Sequence, residues 1–169
     1  MNFSAFERAQ VAAFAYREAR YTGSLDCMRA VCFVLRNRVK AAWADGSWLG
    51  VIACSHLTAA GFEPFVAGEI SPSGGADEQP GFKSDDRLLQ MIVRDVDDIY
   101  FSQEHFDDHV RQTACGELIP AAGGWKAKVP ALYYSFVDRV PRPWFVEHII
   151  RRPGEHAQIG QVGKMLLYR

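Results

Sequence analysis

Apolar and polar positions divide the chain into helical stretches, a loop-rich centre and a β-favouring tail. Phe6, Ala9, Ala13 and Tyr16 recur at helical spacing, with Val11 and Phe14 widening the apolar face. Ser4 followed three residues later by Glu7 is a capping-box signal. A first helix is therefore expected from Ala5 to near Arg20, before Gly23. Ser24 caps the second helix, where Met28, Val31, Leu35 and Val39 recur at steps of three and four. Cys27, Phe33 and Val34 leave it few polar sides, which places it at the centre of the core. Arg29 and Arg36 lie seven apart on one face of it, and solvent is the expected environment of that face.

Further along, Ser84-Asp85-Asp86 opens a third helix with Leu88, Leu89, Ile92, Val96 and Ile99 as its buried stripe. Val51 to Cys54 is short enough to be a helical turn or a strand. Gly68 to Gly81 carries Pro72, Gly74, Gly75 and Pro80 and reads as loop, as does Gly116 to Gly124 with Pro120. Ala131 to Val137 has β-favouring composition, and Arg139 to Pro143 breaks it. A second strand from Lys164 to Tyr168 is expected to pair with it. The sum is an α+β chain, mainly helical with a small antiparallel sheet. A length of 169 residues suits one domain with one core.

Composition narrows the function classes. The hydrophobic share of 49% and charged share of 23% are those of an ordinary globular chain. A net charge of −1 supplies no global field for nucleic acid or an anionic membrane, so neither partner is expected. The charge is uneven, however. Asp77 to Asp108 is acidic, whereas Gly124 to Arg169 holds eight Lys and Arg against Asp138, Glu147 and Glu155. A basic C-terminal face favours a polymer carrying carboxylates, such as peptidoglycan, although solvated surface is the commoner origin of such a bias. No apolar run reaches the roughly 18 residues that span a bilayer. The N-terminus, Met1-Asn2-Phe3-Ser4, lacks the basic and apolar regions of a signal peptide. Cys27, Cys32, Cys54 and Cys115 form no Cys-x-x-Cys pair, which fits free thiols made in a reducing compartment.

The strongest chemical signal is Glu18. It falls where the first helix gives out, beside apolar surface and next to a glycine turn. A partly desolvated carboxyl at such a place is suited to protonate a leaving group, against the plainer reading of a surface Glu paired with Arg17 or Arg20. Other constellations are weaker. Glu104-His105-x3-His109, with Asp108, has metal-ligand spacing on a helix, but incidental histidines on an acidic helix are commoner. Cys54 and His56 are i and i+2 neighbours, which rarely meet as nucleophile and base. No phosphate-cradling glycine loop occurs. Trp43, Trp48, Trp125 and Trp144 could each stack on a sugar, yet each is more often core.

Tyr16-x-Glu18-Ala19-Arg20, a turn, then Arg29-Ala30-Val31 through Asn37-Arg38-Val39 resembles the spore-cortex-lytic (SleB-type) cell-wall hydrolases. Ala131-Leu132-Tyr133-Tyr134, Pro143-Trp144-Phe145, Ile159-Gly160 and Leu167-Tyr168 resemble that family's aromatic C-terminal segment. The two matches cover residues 11–40 and 130–168. The resemblance implies a lysozyme-like fold and cleavage of peptidoglycan glycan strands, with Glu18 as the general acid and base. Tyr133, Tyr134 and Trp144 would line the sugar groove. Neither a metal nor an organic cofactor is implied. A lytic transglycosylase needs no second carboxylate, whereas a hydrolase wants one at about 5–9 Å. Asp26, Glu63 and Asp138 are the candidates.

Departures from the family pattern support a second expectation, a catalytically inert wall-binding or phage structural module. Arg17 stands where a small residue is usual, the central element is missing, and Gln161-Val162-Gly163-Lys164 replaces a closing Ile-Gly-x-His pattern. Synthesis in the cytoplasm with delivery through a pore or a secretion machine, as for phage lysins, is the expected route to the wall.

Overall fold

Helix α2, Leu25–Lys40, is the axis on which the other elements pack. In the computed structural model, residues 4–57, 87–101, 108–115, 118–121, 124–127 and 130–169 are described. Eleven of the sixteen residues of α2 are buried, so no broad solvent face remains to it. Helix α1, Ala5–Ala19, starts at the expected capping box: the Ser4 hydroxyl accepts from the Glu7 amide while the Glu7 carboxylate accepts from the Ser4 amide. It ends in a single 3-10 turn, Arg20–Thr22, closed by Gly23 in the left-handed region at φ 65°. Ser24 then caps α2 through the Cys27 amide.

Helices α3 (Trp48–Leu57), α4 (Arg87–Phe101) and α5 (Asp108–Cys115) complete the helical layer. The segment Val51 to Cys54 is thus helical. Leu89, Ile92, Val96 and Ile99 of α4 are buried, as their spacing predicts, while Leu88 is partly buried against the same core. The residues expected to open this helix, Ser84 to Asp86, lie outside the described residues. So do the loop Gly68 to Gly81, Glu63, and the side chains of Cys54, His56, Asp108 and His109, with Glu104 and His105.

Arg29 and Arg36 correct the expectation of a solvated face. The Arg29 guanidinium donates to Asp95 of α4 at 2.8 Å and to Asp26 at 2.9 Å, and Arg36 donates to the Ile99 carbonyl at 3.0 Å. The face is covered because α4 packs across it, and the two arginines tie the helices together at that seam.

Strand β3 (Tyr133–Phe136) pairs antiparallel with β5 (Met165–Tyr168), the partner expected from sequence. Strand β4 (Gln158–Val162) adds to the other side of β5, so the sheet order is β3-β5-β4. Gly163, at φ 52°, makes the two-residue turn between β4 and β5 possible. Gly160 serves a close approach instead: a Cβ there would lie 2.3 Å from Thr113 Cγ2 of α5.

The stretch Gly116 to Gly124, read from sequence as loop, contributes to a separate hairpin. Strand β1 (Leu118–Ala121) pairs antiparallel with β2 (Gly124–Ala127) in a two-stranded sheet. Pro120 is tolerated because each strand of such a pair has one edge that needs no amide donor.

Asn37 makes one of the links between the helices and the sheet. Its buried side-chain amide donates to the Ala114 carbonyl at 2.7 Å and to the Ala131 carbonyl at 2.9 Å, linking α2 to the end of α5 and to the approach to β3.

Candidate active site

Glu18 occupies the last turn of α1, half-buried, beside the fully buried Ala19. Strand β3 runs past it, and the Tyr134 hydroxyl donates to Glu18 Oε2 at 2.8 Å. The two residues are 116 positions apart, so this contact exists only in the folded chain. Burial, followed by the negative charge of Glu18, pushes the Tyr134 phenol well above its ordinary pKa. Tyr134 therefore stays protonated and acts as a fixed donor to the carboxylate.

Glu18 and Tyr134 line a pocket of about 220 Å³ that also takes in Tyr133 and Trp144. All four residues singled out from sequence meet there. Tyr133 is held between Trp43, tilted at 5.2 Å, and His156, edge-on at 5.0 Å. Trp144 sits in the short helix α6 (Pro143–Phe145), which runs into a π-helical turn at Val146–Ile150. One face of its indole stacks on His148 at 5.1 Å, and 40% of the residue remains exposed. Trp43 is partly buried and Trp48 buried, and neither lines the pocket; the Trp125 side chain is outside the description.

Arginines dominate the charge of the pocket. Arg17, Arg38, Arg139 and Arg142 line it, and among the described residues Glu18 is the only carboxylate that does. Arg38 is 5% exposed; its Nε donates to the Leu132 carbonyl at 2.7 Å and its guanidinium lies 4.8 Å from the Trp43 ring centre. It also lies 5.9 Å from the rings of Tyr133 and Tyr134, so it braces both tyrosines from behind. Sequence reasoning missed this residue as a site residue, together with Arg139 and Arg142. The usable signal was the basic bias of the C-terminal segment, which supplies the last two.

Arg139 lies in the turn after β3, which is pinned from both sides, and Arg142 follows as the N-cap residue of α6. Asp138 accepts from the Tyr21 hydroxyl at 3.0 Å and from Lys164 at 2.7 Å, and the Arg139 guanidinium lies 3.4 Å from the centre of the Tyr21 ring. The Lys164 hydrogen bond holds the Asp138 carboxyl below the usual range. Desolvation, with help from Asp138, pushes the Tyr21 phenol up to about 12.

Two of the candidates for a second carboxylate are thus committed to other partners: Asp138 to Tyr21 and Lys164, and Asp26 to Arg29. Among the described residues no group of His, Cys, Asp and Glu has the arrangement of a metal site. Cys27 and Cys32 are free and buried.

No protein-family model, curated protein or solved structure matches this chain.

Proposed function

We propose that this protein cleaves the glycan strands of peptidoglycan, as a lytic transglycosylase or muramidase, with Glu18 as its acid and base. The observation that carries the reading is one half-buried carboxylate, steadied by the hydroxyl of a partly buried tyrosine, in a pocket with aromatic walls. Glu18, protonated, gives its proton to the glycosidic oxygen as the C1–O bond breaks, and the leaving sugar departs as an alcohol. Tyr134 stabilises the carboxylate left behind by donating to Oε2. In the transglycosylase course Glu18 then removes the proton of the muramoyl 6-hydroxyl, and O6 closes on C1 to give the anhydro sugar. Proton and charge balance, because Glu18 ends as it began.

The anhydro course is favoured over hydrolysis by the lining of the pocket. A hydrolytic partner for Glu18 would be a second carboxylate about 5–9 Å away. Among the described residues, none besides Glu18 lines the pocket. Exposed Trp144 would stack against a sugar ring, and Tyr133 and Tyr134 would line the groove beside it.

The test is incubation with purified sacculi and mass spectrometry of the released products, with Glu18→Gln alongside. Anhydro-muropeptides from wild type alone are expected. Reducing-end products would replace the transglycosylase by a muramidase. Pelleting on sacculi with no product from wild type would leave an inert wall-binding module. Wild-type release by Glu18→Gln would remove Glu18 from the chemistry.

A further inference from the structure

Four arginines and one carboxylate line the pocket, which gives it the opposite sign to the chain, whose net charge is −1. Such a concentration of charge in a concave, partly apolar site attracts anions. Two of the four have specific work inside the fold: Arg38 is buried and hydrogen-bonded to the chain, and Arg17 flanks the acid on α1. The other two differ. Arg139 is exposed and lies flat on the Tyr21 ring, and it forms no ion pair among the described residues. Arg142 is exposed and has no side-chain ion pair or hydrogen bond among the described residues. Arg139 belongs to the turn that Asp138 fastens to Tyr21 and Lys164, and Arg142 is the N-cap residue of α6, its carbonyl accepting from the Val146 amide, so the backbone of both is placed in advance of any ligand. They stand on the same rim as Trp144, which offers a ring face to a sugar.

On the reading of this site as a glycan-cleaving one, we infer that Arg139 and Arg142 form a carboxylate-recognising subsite. It would select strands whose muramoyl units carry a free acidic group over neutral strands of the same sugars. A guanidinium meets a carboxylate through paired N–H donors, which gives direction as well as attraction. The adjacent indole favours an acid attached to a sugar ring over a bare inorganic anion.

The probes are two peptide-free tetrasaccharides of equal length. One alternates N-acetylglucosamine with N-acetylmuramic acid and so carries lactyl carboxylates; the other is chitotetraose, which carries none. Binding to the Glu18→Gln protein is measured by calorimetry, so that turnover does not intrude. The acidic tetrasaccharide is expected to bind at least roughly tenfold tighter at low salt, with the advantage shrinking as salt screens it. Arg142→Gln and Arg139→Gln should each erode that advantage while binding of chitotetraose holds. Arg142→Lys should recover part of it, because charge returns without the fork. Circular dichroism of each variant confirms folding.

Equal affinity for the two saccharides, no binding of either, or tighter binding of inorganic phosphate would overturn the inference. The sacculus assay separates this outcome from the larger one. Product release without acid preference sinks the subsite alone, and acid preference without product release sinks the glycosidase reading while leaving the subsite.

Discussion

A phenol kept protonated by burial and by the charge of its neighbour is a donor that does not change state while the neighbour does. Tyr134 has that relation to Glu18. In the proposed reaction, this hydrogen bond stabilises the carboxylate that Glu18 becomes on giving up its proton. Tyr134→Phe keeps the ring and removes only this donor. Turnover of sacculi should fall by roughly ten- to a hundredfold, the worth of a hydrogen bond to a charged group. Ultraviolet titration gives a check independent of activity. Tyr21 and Tyr134 should ionise later than ordinary phenols in wild type, and Tyr134→Phe should lose one of these late steps. Unchanged turnover in a variant that has lost the late step would make Tyr134 a packing residue only.

The turn after β3 depends on an electrostatic latch. Asp138 has its carboxyl below the usual range in the folded protein because Lys164 donates to it. A depressed carboxyl contributes stability fully above its unfolded pKa, and the contribution disappears as pH falls through the folded value. Asp138→Asn should therefore melt below wild type at neutral pH, and the two curves should converge in acid. Melting temperatures across a pH series read this directly, and a gap that stays constant with pH would show that the charge of Asp138 is idle.

At this same scale the sequence was informative where local chemistry decides the outcome. Ser4 with Glu7, and Ser24 before an apolar run, mark the helix starts because the signal lies within three residues of its effect. The β3–β5 pairing was also visible, in Tyr-Tyr-Ser-Phe and Met-Leu-Leu-Tyr. Strand β4 was not, since Gln158 to Val162 carries a glycine and little apolar pattern, and its pairing is given by the turn at Gly163. The β1–β2 hairpin was hidden by Pro120 and the flanking glycines. Arg29 and Arg36 were misread for a different reason: what covers a helix face is set by which helix lands on it, here α4. The site was legible as Glu18, Tyr133, Tyr134 and Trp144. Its arginines were not, because Arg17, Arg38, Arg139 and Arg142 come from three separate elements.

Across the whole molecule, one buried amide makes two of the hydrogen bonds that link the helices to the segment leading into β3. Asn37→Ala would remove both of its donated hydrogen bonds and strand the Ala131 carbonyl; Ala114 keeps the Ala131 amide as a partner. The expected loss is about 2–3 kcal/mol of stability, the cost of a buried acceptor left unmade together with the lost bonds. Urea unfolding should show a lower midpoint with an unchanged slope. A variant as stable as wild type would mean that the Asn37 hydrogen bonds contribute nothing to holding the sheet on the helices.

The order of strands has one more consequence, in time. Strand β3 brings Tyr134 to Glu18, but its hydrogen-bonded neighbour is β5, which is translated some thirty residues later by sequence position. While the chain is still being made, α1 and α2 can dock early, since their contacts are local. A nascent chain that has not yet reached residue 168 carries Glu18 on a formed helix, with its strand of tyrosines unpaired. Pairing of β3 with β5, and with it the seating of Tyr134 on Glu18, thus waits until the last strand has left the ribosome, and the pocket closes as a late event of folding.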